Sequence, residues 1–263
     1  MDKVRSKDGT EIAYQRSGDG PTLILIGGAF VDRSGAAEFA AALASRFSAV
    51  AYDRRGRGHS GDAPAYAVER EVEDFEALID AVGGTAFVHG MSSGAALALH
   101  AAAAGASISR LSVCEPPFRV EGAPPAPERY IQTLQEMRSG DRRGEAVEYF
   151  LTCAVGLPPE AVQEMRGAPM WPGMEAVSHT LVYDALVMGD SAVPTARLAK
   201  VDIPTLVLDS TGSAPWLRSA AAATAVALPQ ATHRSLDGGF HYLPPEVLAP
   251  ALTEFFLEPV PQV

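Results

Sequence analysis

Hydrophobic and polar positions follow two different periods along this chain, and the two periods predict β-strands and α-helices. Short apolar runs alternate with longer segments in which apolar residues recur every three or four positions, as in residues 68–82. The predicted strands are residues 3–6, 11–15, 22–26, 48–53, 86–89, 111–115, 205–209 and 232–236, and the predicted helices between them are residues 36–47, 68–82, 93–104, 213–227 and 245–256. This alternation predicts an α/β fold with a mostly parallel central sheet and helices on both faces.

The alternating pattern stops after residue 115 and resumes near residue 205. Residues 116–127 contain five prolines, which break regular secondary structure. The stretch up to residue 200 shows no clear strand, and its predicted helices are residues 128–139, 142–154, 159–165 and 175–188. We therefore expect a core made of residues 1–117 and 198–263, with residues 118–197 forming a helical insertion over the sheet.

The composition narrows the classes of protein and partner. The 263 residues are 47% hydrophobic and 20% charged, which is typical of a soluble globular protein. A formal net charge of −11 disfavours binding to nucleic acid or to an anionic membrane surface. Cys114 and Cys153 lack metal-ligand spacing and are too few for a disulfide framework. With no predicted signal peptide or membrane-spanning run, we expect a cytoplasmic protein, whose oligomeric state stays open.

The sequence Gly90-Met91-Ser92-Ser93-Gly94 lies between a predicted strand and a predicted helix. It matches the G-x-S-x-G pattern, in which a sharp turn lifts a serine hydroxyl out of the carboxyl end of a sheet. Glycine is needed at both ends because a side chain there would collide with the neighbouring elements. Ser92 is therefore the predicted nucleophile, and Ser93 has the wrong spacing to the glycines for that role.

A second glycine-containing loop, Gly27-Gly28-Ala29-Phe30, follows the predicted strand at residues 22–26. Two glycines allow the backbone to approach the nucleophile closely. The backbone N–H of Ala29, or that of Phe30, would then point toward a developing oxyanion, and the N–H of Ser93 would be the second donor. Each such donor typically supplies about 3–4 kcal/mol of transition-state stabilisation.

A serine nucleophile needs a general base, and His241 is the predicted one. It lies in the loop after the last predicted strand, and in G-x-S-x-G enzymes the triad partners follow in the order serine, acid, histidine. Of the other five histidines, His89 and His100 are expected to be structural, whereas His179 lies in the insertion and could contact a substrate.

The acid that orients the histidine has two candidates. The usual position, three or four residues after strand 205–209, falls in residues 210–214, which contain no carboxylate. Glu115 ends a strand beside the nucleophile strand, and Asp209 ends a later strand. We favour Glu115 over Asp209. The alternative role for Glu115 is an ion pair with an arginine such as Arg119.

These motifs resemble the α/β-hydrolase superfamily, and the resemblance extends over nearly the whole chain. Residues 53–60, Asp-Arg-Arg-Gly-Arg-Gly-His-Ser, are similar to a D-x-R-G-x-G-x-S segment that many members carry after the fourth strand, mostly with a structural role. The position of Glu115 is similar to that of the acid in haloalkane dehalogenases and some lipases. Ser92 departs from the aspartate nucleophile of the dehalogenases, so neither dehalogenation nor aspartate-dependent epoxide hydrolysis is expected. Residues 118–197 look like the helical cap of the family.

One glycine pattern is typical of a different class of protein. Residues 56–61, Gly-Arg-Gly-His-Ser-Gly, satisfy G-x-G-x-x-G after a predicted strand. A dinucleotide site also needs a helix that begins within the glycines, and here the predicted helix begins only near Val68. We therefore expect no NAD or FAD site, and the proposed chemistry needs neither a cofactor nor a metal.

The resemblance implies a serine hydrolase that forms an acyl-enzyme on Ser92 and releases it with water. The insertion is rich in aromatic and methionine residues, which would suit a medium-sized, partly apolar ester, lactone or thioester. The residues expected to contact this substrate are Phe30, Met91, Trp171, His179 and Tyr183. Two alternatives stay open: C–C bond hydrolysis or perhydrolysis with the same triad, and a ligand-binding protein with a vestigial hydrolase site.

Overall fold

The computed structural model describes residues 1–125 and 127–258, which contain one eight-stranded sheet. The strands are β1 (Asp2–Arg5), β2 (Glu11–Ser17), β3 (Thr22–Ile26), β4 (Ser48–Tyr52), β5 (Ala86–Met91), β6 (Ile108–Cys114), β7 (Thr205–Ser210) and β8 (Ala231–Leu236). Their order across the sheet is β1-β2-β4-β3-β5-β6-β7-β8. Strand β2 is antiparallel to both of its neighbours and the other pairs are parallel, which confirms the predicted mostly parallel sheet.

Five helices belong to the alternating part of the chain and pack against the sheet. They are α1 (Ala37–Leu43), α2 (Val68–Val82), α3 (Ser93–Ala104), α10 (Pro215–Ala227) and α11 (Pro245–Leu257). The alternation of side chains along β3 shows how the two faces are covered. Ile24 and Ile26 lie in the same apolar cluster as residues of α2 and α3, whereas Leu23 and Leu25 lie in a second cluster with residues of α1 and α11. Helices therefore cover both faces, as predicted.

The segment between β6 and β7 is helical. Its helices are α4 (Tyr130–Ser139), α5 (Arg143–Phe150), α6 (Pro159–Met165), α7 (Trp171–Ala176), α8 (Leu181–Met188) and α9 (Thr195–Leu198), with a π-helical turn at Leu151–Val155 and a 3-10 turn at Ser178–Thr180. Within residues 115–125 and 127–204, the only β-type pairing is an isolated bridge between Arg119 and Ala192. We call this segment the inserted helices; the exact division of the chain at residues 118 and 197 stays a prediction.

Two predicted helices of the insertion are interrupted, and side-chain hydrogen bonds account for the interruptions. The predicted helix 175–188 breaks where the hydroxyls of Ser178 and Thr180 bond to carbonyl oxygens three residues earlier. The predicted helix 142–154 changes to a π-helical turn after Phe150, where the Thr152 hydroxyl donates to the carbonyl oxygen of Glu148 at 2.6 Å. Across the described ranges, every helix is too short or too polar to span a bilayer.

Candidate active site

Ser92 lies at the sharp turn between β5 and α3, as the motif predicts. It is the N-cap residue of α3 and has φ 57° and ψ −126°, a conformation that non-glycine residues rarely adopt. A Cβ at position 90 would lie 2.6 Å from the carbonyl oxygen of Gly94, and a Cβ at position 94 would overlap the carbonyl oxygen of Gly27. Close packing of backbone on both sides therefore explains why both flanking positions are glycine.

The predicted oxyanion loop lies directly against the nucleophile. A Cβ at position 28 would come within 2.9 Å of the Ser92 Cβ, so only glycine permits this approach. Ala29 and Ser93 line the same cavity as Ser92. The following residue, Phe30, has φ 64°, so the loop turns back sharply after Ala29.

Glu115 and His241 form a direct hydrogen bond. His241 Nδ1 lies 2.6 Å from Oε2 of Glu115, and the other carboxylate oxygen accepts a hydrogen bond of 2.7 Å from the backbone N–H of Ser210. Glu115 is fully buried, and its backbone has φ 45° just after β6. Both carboxylate oxygens are therefore fixed by donors from the β7 and β8 side of the sheet, which is the arrangement expected of an orienting acid.

The loop that carries His241 is fixed by serines and glycines. The Ser213 hydroxyl accepts a hydrogen bond of 2.8 Å from the His241 backbone N–H, and the Ser210 hydroxyl donates to the carbonyl oxygen of Gly239 at 2.7 Å. His241 itself has φ 51°. Gly212 packs so closely on this loop that a Cβ there would overlap the carbonyl oxygen of Gly238. The ring is thus held in one place although it is partly exposed.

Backbone strain concentrates at these residues. In the described part of the chain, six non-glycine residues have positive φ: Phe30, Ser92, Glu115, Asp141, Ser191 and His241. Three of the six are the predicted nucleophile, acid and base, and a fourth, Phe30, is the last residue of the predicted oxyanion loop. Strained non-glycine residues persist where the surroundings determine the conformation, and they cluster at functional sites.

The alternative acid, Asp209, lies in a different environment. Its carboxylate is 2.6 Å from Nε2 of His233 and 2.9 Å from Nε of Arg218. It has no hydrogen bond to His241 among the described residues, whereas Glu115 does. The contacts therefore favour Glu115, and the predicted alternative ion pair between Glu115 and Arg119 is not formed in the described structure.

The two histidines expected to be structural have structural contacts. His89 is buried, and its Nδ1 lies 3.1 Å from the Ser112 hydroxyl. Burial lowers the pKa of His89 to about 4, so the ring is neutral at pH 7. His100 Nε2 lies 2.9 Å from the carbonyl oxygen of Val187 on α8, where it bridges α3 and the inserted helices.

A cavity of about 580 Å³ joins the predicted catalytic residues to the inserted helices. Ser92 and His241 both line it, and this volume is typical of small-molecule sites. The side chains that the inserted segment contributes include Arg119, Tyr130, Ile131, Phe150, Cys153, Asp184 and Met188. Trp216 of α10 and Phe240, in the loop that carries His241, complete an apolar wall. The cavity therefore combines a largely apolar surface with a few polar groups.

None of the five residues expected to contact the substrate lines this cavity; they are Phe30, Met91, Trp171, His179 and Tyr183. Phe30 packs edge-on against Phe150, with ring centroids 5.2 Å apart. Met91 packs against the cluster shared by α1 and α11. Trp171 is 4% exposed within the apolar core of the inserted helices.

His179 and Tyr183 contact residues of the segment after β4 and do not line the cavity. The Tyr183 ring stacks on Tyr66 with centroids 3.9 Å apart, and its hydroxyl donates to Asp62 at 2.8 Å. His179 lines a separate, smaller pocket, and burial lowers the pKa of its ring. Both side chains therefore fasten the inserted helices to the loop after β4 rather than facing Ser92.

A buried ionic cluster lies next to the turn at residues 90–94, called here the nucleophile turn, and could not be predicted from the sequence motifs. Asp184 of α8 accepts hydrogen bonds from Arg54 at 2.8 Å, from Arg57 at 2.7 Å and from the Ser93 hydroxyl at 2.7 Å. Arg54 also forms a two-pronged ion pair with Glu71. Burial opposes ionisation of Asp184, but the two guanidinium groups and the hydroxyl hold its pKa below its ordinary value.

The same two arginines hold the oxyanion loop. Arg57 donates to the carbonyl oxygen of Gly28 at 2.5 Å, and Arg54 lies 3.4 Å from that of Gly27. Since Asp184 belongs to the inserted helices, one cluster links those helices, the oxyanion loop and the nucleophile turn. Two features of the sequence are consistent with such a cluster: residues 53–60 contain three arginines, and the otherwise apolar helix α8 contains one aspartate, Asp184.

Comparisons with known proteins agree with this architecture. The model of the alpha/beta hydrolase family matches residues 23–251. The chain is 53% identical to an alpha/beta hydrolase from Sphaerobacter thermophilus, with a TM-score of 0.93 over 97% of this chain and 100% of that chain. A search of curated protein sequences gave no significant match.

Two more distant structures share the fold. One is a thermophilic esterase from Thermogutta terrifontis, 23% identical, with a TM-score of 0.70 over 98% of this chain and 96% of that chain. The other is the enol-lactonase from Burkholderia xenovorans, 23% identical, with a TM-score of 0.70 over 98% of each chain. Together with the family match over most of the sequence, the strand order and the nucleophile turn lead to one conclusion. The chain belongs to the alpha/beta hydrolase family, and the protein is a hydrolase enzyme.

Proposed function

We propose that this hydrolase cleaves a medium-sized, partly apolar ester, lactone or thioester through an acyl-enzyme on Ser92. The observation that carries the proposal is the hydrogen bond of 2.6 Å between His241 and Glu115, beside a cavity that both Ser92 and His241 line. A carboxylate-held histidine facing the same cavity as a strained serine is the arrangement that activates a hydroxyl.

His241 acts as the base in the first step. Because Nδ1 donates its hydrogen to Glu115, Nε2 is left as the acceptor for the Ser92 proton. The Ser92 Oγ forms a bond to the acyl carbon, and the carbonyl electron pair moves onto oxygen. The resulting imidazolium, stabilised by Glu115, then gives its proton to the leaving oxygen or sulfur as the C–O or C–S bond breaks.

Backbone N–H groups stabilise the oxyanion formed in that step. Ser93 is the first residue of α3, where a backbone N–H has no acceptor within the helix. The positive end of the helix dipole adds to its effect. The N–H of Ala29 is the second donor, supported by the close approach of Gly28 to Ser92. Both donors are fixed before substrate binds, so little reorganisation is needed during the reaction.

Water completes the cycle. His241 takes a proton from a water molecule, and the hydroxide oxygen attacks the acyl carbon of the acyl-enzyme. The bond to Ser92 Oγ breaks, the proton returns to that oxygen, and the acid product leaves. The apolar wall of Phe150, Met188 and Trp216 supports a partly apolar substrate. An esterase and an enol-lactonase share the fold, which supports esters and lactones as the first substrates to test.

Labelling with a fluorophosphonate probe tests the nucleophile. We expect one label, which peptide mapping places on Ser92, and no label on the Ser92→Ala variant. Ser109→Ala is the matched control, because the Ser109 hydroxyl bonds to the Ala86 carbonyl at the other end of the sheet. A label that survives Ser92→Ala, or one that maps to another serine, contradicts the mechanism.

Steady-state turnover tests the type of bond. A panel of a p-nitrophenyl ester, a lactone, a thioester and a 1,3-diketone should show cleavage of acyl–oxygen or acyl–sulfur bonds and little C–C cleavage. Efficient diketone cleavage without ester hydrolysis would reject the proposed bond type. Ligand binding with no turnover of any member would reject the proposed acyl hydrolysis.

A further inference from the structure

Arg119 gives the cavity a positive charge that no described carboxylate neutralises. Its side chain lines the cavity together with Ser92 and His241. Within residues 1–125 and 127–258, no carboxylate oxygen lies within 4.0 Å of its guanidinium. Partial burial lowers the pKa of Arg119 below its ordinary value, and the group still remains charged at neutral pH. An anionic ligand in the cavity would therefore meet a cation that no described carboxylate already pairs with.

The backbone of Arg119 is fixed by the inserted segment. Its N–H donates to the carbonyl oxygen of Ser191 at 2.6 Å, and it forms a bridge with Ala192. The preceding residue, Phe118, is 2% exposed in the core. The backbone of Arg119 is therefore firmly held beside the cavity that the residue lines, which is what a specific ligand contact requires.

Tyr130 adds a hydrogen-bond donor to the same region. It lines the same cavity as Arg119. Burial raises the pKa of the Tyr130 phenol, so the hydroxyl stays protonated. It makes no hydrogen bond to another described side chain. A guanidinium and a phenol that line one cavity can each donate a hydrogen bond to an anionic ligand.

Three acidic residues also line the cavity, but they do not occupy this position. Asp184 is already bound by Arg54 and Arg57. Asp190 and Glu128 are exposed, and Asp190 accepts a hydrogen bond from a backbone N–H two residues further on. Neither exposed carboxylate perturbs the pKa of Arg119. None of the three acidic residues on the cavity wall therefore pairs with the Arg119 guanidinium.

We propose that Arg119, assisted by Tyr130, binds a carboxylate of the substrate that does not react. This inference rests on the proposed acyl hydrolysis and names its substrate class: esters or lactones that carry a second, free carboxylate. Arginine presents two parallel N–H groups that match the two oxygens of a carboxylate. The contact would place the substrate so that its acyl carbon faces Ser92, and it would exclude uncharged analogues of the same length.

Matched esters test this inference. The p-nitrophenyl monoester of glutaric acid and p-nitrophenyl pentanoate have similar length and the same leaving group, but only the first carries a carboxylate. We expect Arg119→Gln to lower kcat/KM for the charged ester by about 10–100-fold, the effect of losing a charged hydrogen-bonded contact. The value for the neutral ester should change little. Arg119→Lys should recover part of the loss, because it keeps the charge without the paired donors.

Arg46→Gln is the control for the change of net charge, because Arg46 is exposed and remote from the cavity. It should leave the preference between the two esters unchanged. Equal losses for both esters in Arg119→Gln, or a wild-type enzyme without preference for the charged ester, would overturn the carboxylate site while leaving the acyl hydrolase intact.

Calorimetry with glutarate separates the two proposals, because binding needs no turnover. Wild-type protein should bind the dianion, and Arg119→Gln should weaken its Kd by at least about tenfold, with Arg119→Lys between them. An unchanged Kd in both variants would reject the carboxylate site. Failure of the wild-type enzyme to hydrolyse either ester, with glutarate binding still dependent on Arg119, would reject the proposed acyl hydrolysis alone.

Discussion

Two histidine–carboxylate pairs lie on the same half of the sheet, His241 with Glu115 and His233 with Asp209. In each pair the histidine nitrogen lies 2.6 Å from a carboxylate oxygen. Both carboxylates are fully buried, and the histidine side chains are exposed to 27% and 31%. Neither the distance nor the exposure of the ring distinguishes the two pairs.

The partners of the carboxylates do distinguish them. Asp209 is shared among His233, the guanidinium of Arg218 at 2.9 Å and the hydroxyl of Ser235 at 3.0 Å. Since an arginine already neutralises its charge, Asp209 has less influence on the histidine. These contacts join strands β7 and β8 and helix α10, so the His233–Asp209 pair stabilises the edge of the sheet.

Glu115 has no arginine among its described partners; it accepts one backbone N–H and the His241 ring. The Glu115 carboxylate therefore interacts with the His241 ring without a competing cation. His241 lines the cavity together with Ser92, whereas His233 does not line it. Because only the His241–Glu115 pair has its ring on the cavity that Ser92 lines, we expect this pair, and not His233–Asp209, to act in catalysis.

The largest expected effect separates the two histidines. His241→Gln should lower kcat by about 10⁴-fold or more, because loss of the general base disables the triad as a unit. His233→Gln should leave kcat close to that of the wild type. Hydrolysis of a p-nitrophenyl ester measures both. A severe loss of kcat in the His233 variant with normal folding would erase the proposed distinction.

The second comparison separates the two carboxylates. Glu115→Gln should lower kcat by about 10²–10⁴-fold, because the amide no longer holds the ring in the required tautomer. Asp209→Asn should keep most of the activity and lower the free energy of unfolding by about 1–3 kcal/mol, since it weakens a buried hydrogen-bonded group. Ester turnover and urea denaturation report the two effects. If turnover is lost only in the Asp209 variant, Glu115 is not the acid.

A smaller effect on turnover is expected from Asp184→Asn. This variant weakens the ionic cluster of Asp184 with Arg54 and Arg57, next to the cavity that His241 lines. Two buried arginines lose their shared carboxylate, so the free energy of unfolding should fall by about 3–5 kcal/mol at pH 7. Release of the oxyanion loop should lower kcat by about tenfold, equivalent to roughly 1.4 kcal/mol. Asp190→Asn, an exposed carboxylate on the same cavity, is the matched control.

The stability difference between wild type and Asp184→Asn should depend on pH. The pKa of Asp184 is lower in the folded protein than its ordinary value of about 3.9. The carboxylate therefore stabilises the fold fully above the unfolded-state pKa, and this stabilisation is lost as pH falls through the folded-state pKa. Urea denaturation at pH 7 and near pH 3 measures the change. A difference that grows toward acid would contradict the charge-based explanation.

The fold was predictable because its signals are local. Strand β3 and helices α2 and α3 have the predicted boundaries, since their apolar runs and terminal glycines define them without help from distant residues. The nucleophile turn was predictable for a similar reason: two glycines permit one backbone geometry. The acid was reduced only to Glu115 or Asp209, because the positive φ of Glu115 and the arginine beside Asp209 depend on tertiary contacts.

The cavity wall was less predictable. The aromatic content of the inserted helices indicated an apolar pocket, and Tyr130 and Phe150 do line it. Trp171 and Tyr183 have equally apolar rings, yet one fills the core of the inserted helices and the other stacks on Tyr66. Which face a short helix turns to the cavity is decided by how the helices pack on the core, and the sequence period of a six- or eight-residue helix does not encode that choice.

The acid and the pocket wall leave the sheet from the same strand end. Glu115 is followed by Pro116 and Pro117, whose rings fix their φ angles, and then by Phe118, which is anchored in the core. This short, stiff connector separates the Glu115 carboxylate from Arg119 and the other residues of the inserted segment that line the cavity. We therefore expect changes to the chain beyond position 118 to reshape the cavity while the contact between Glu115 and His241 is kept, which makes this connector a suitable place to alter specificity.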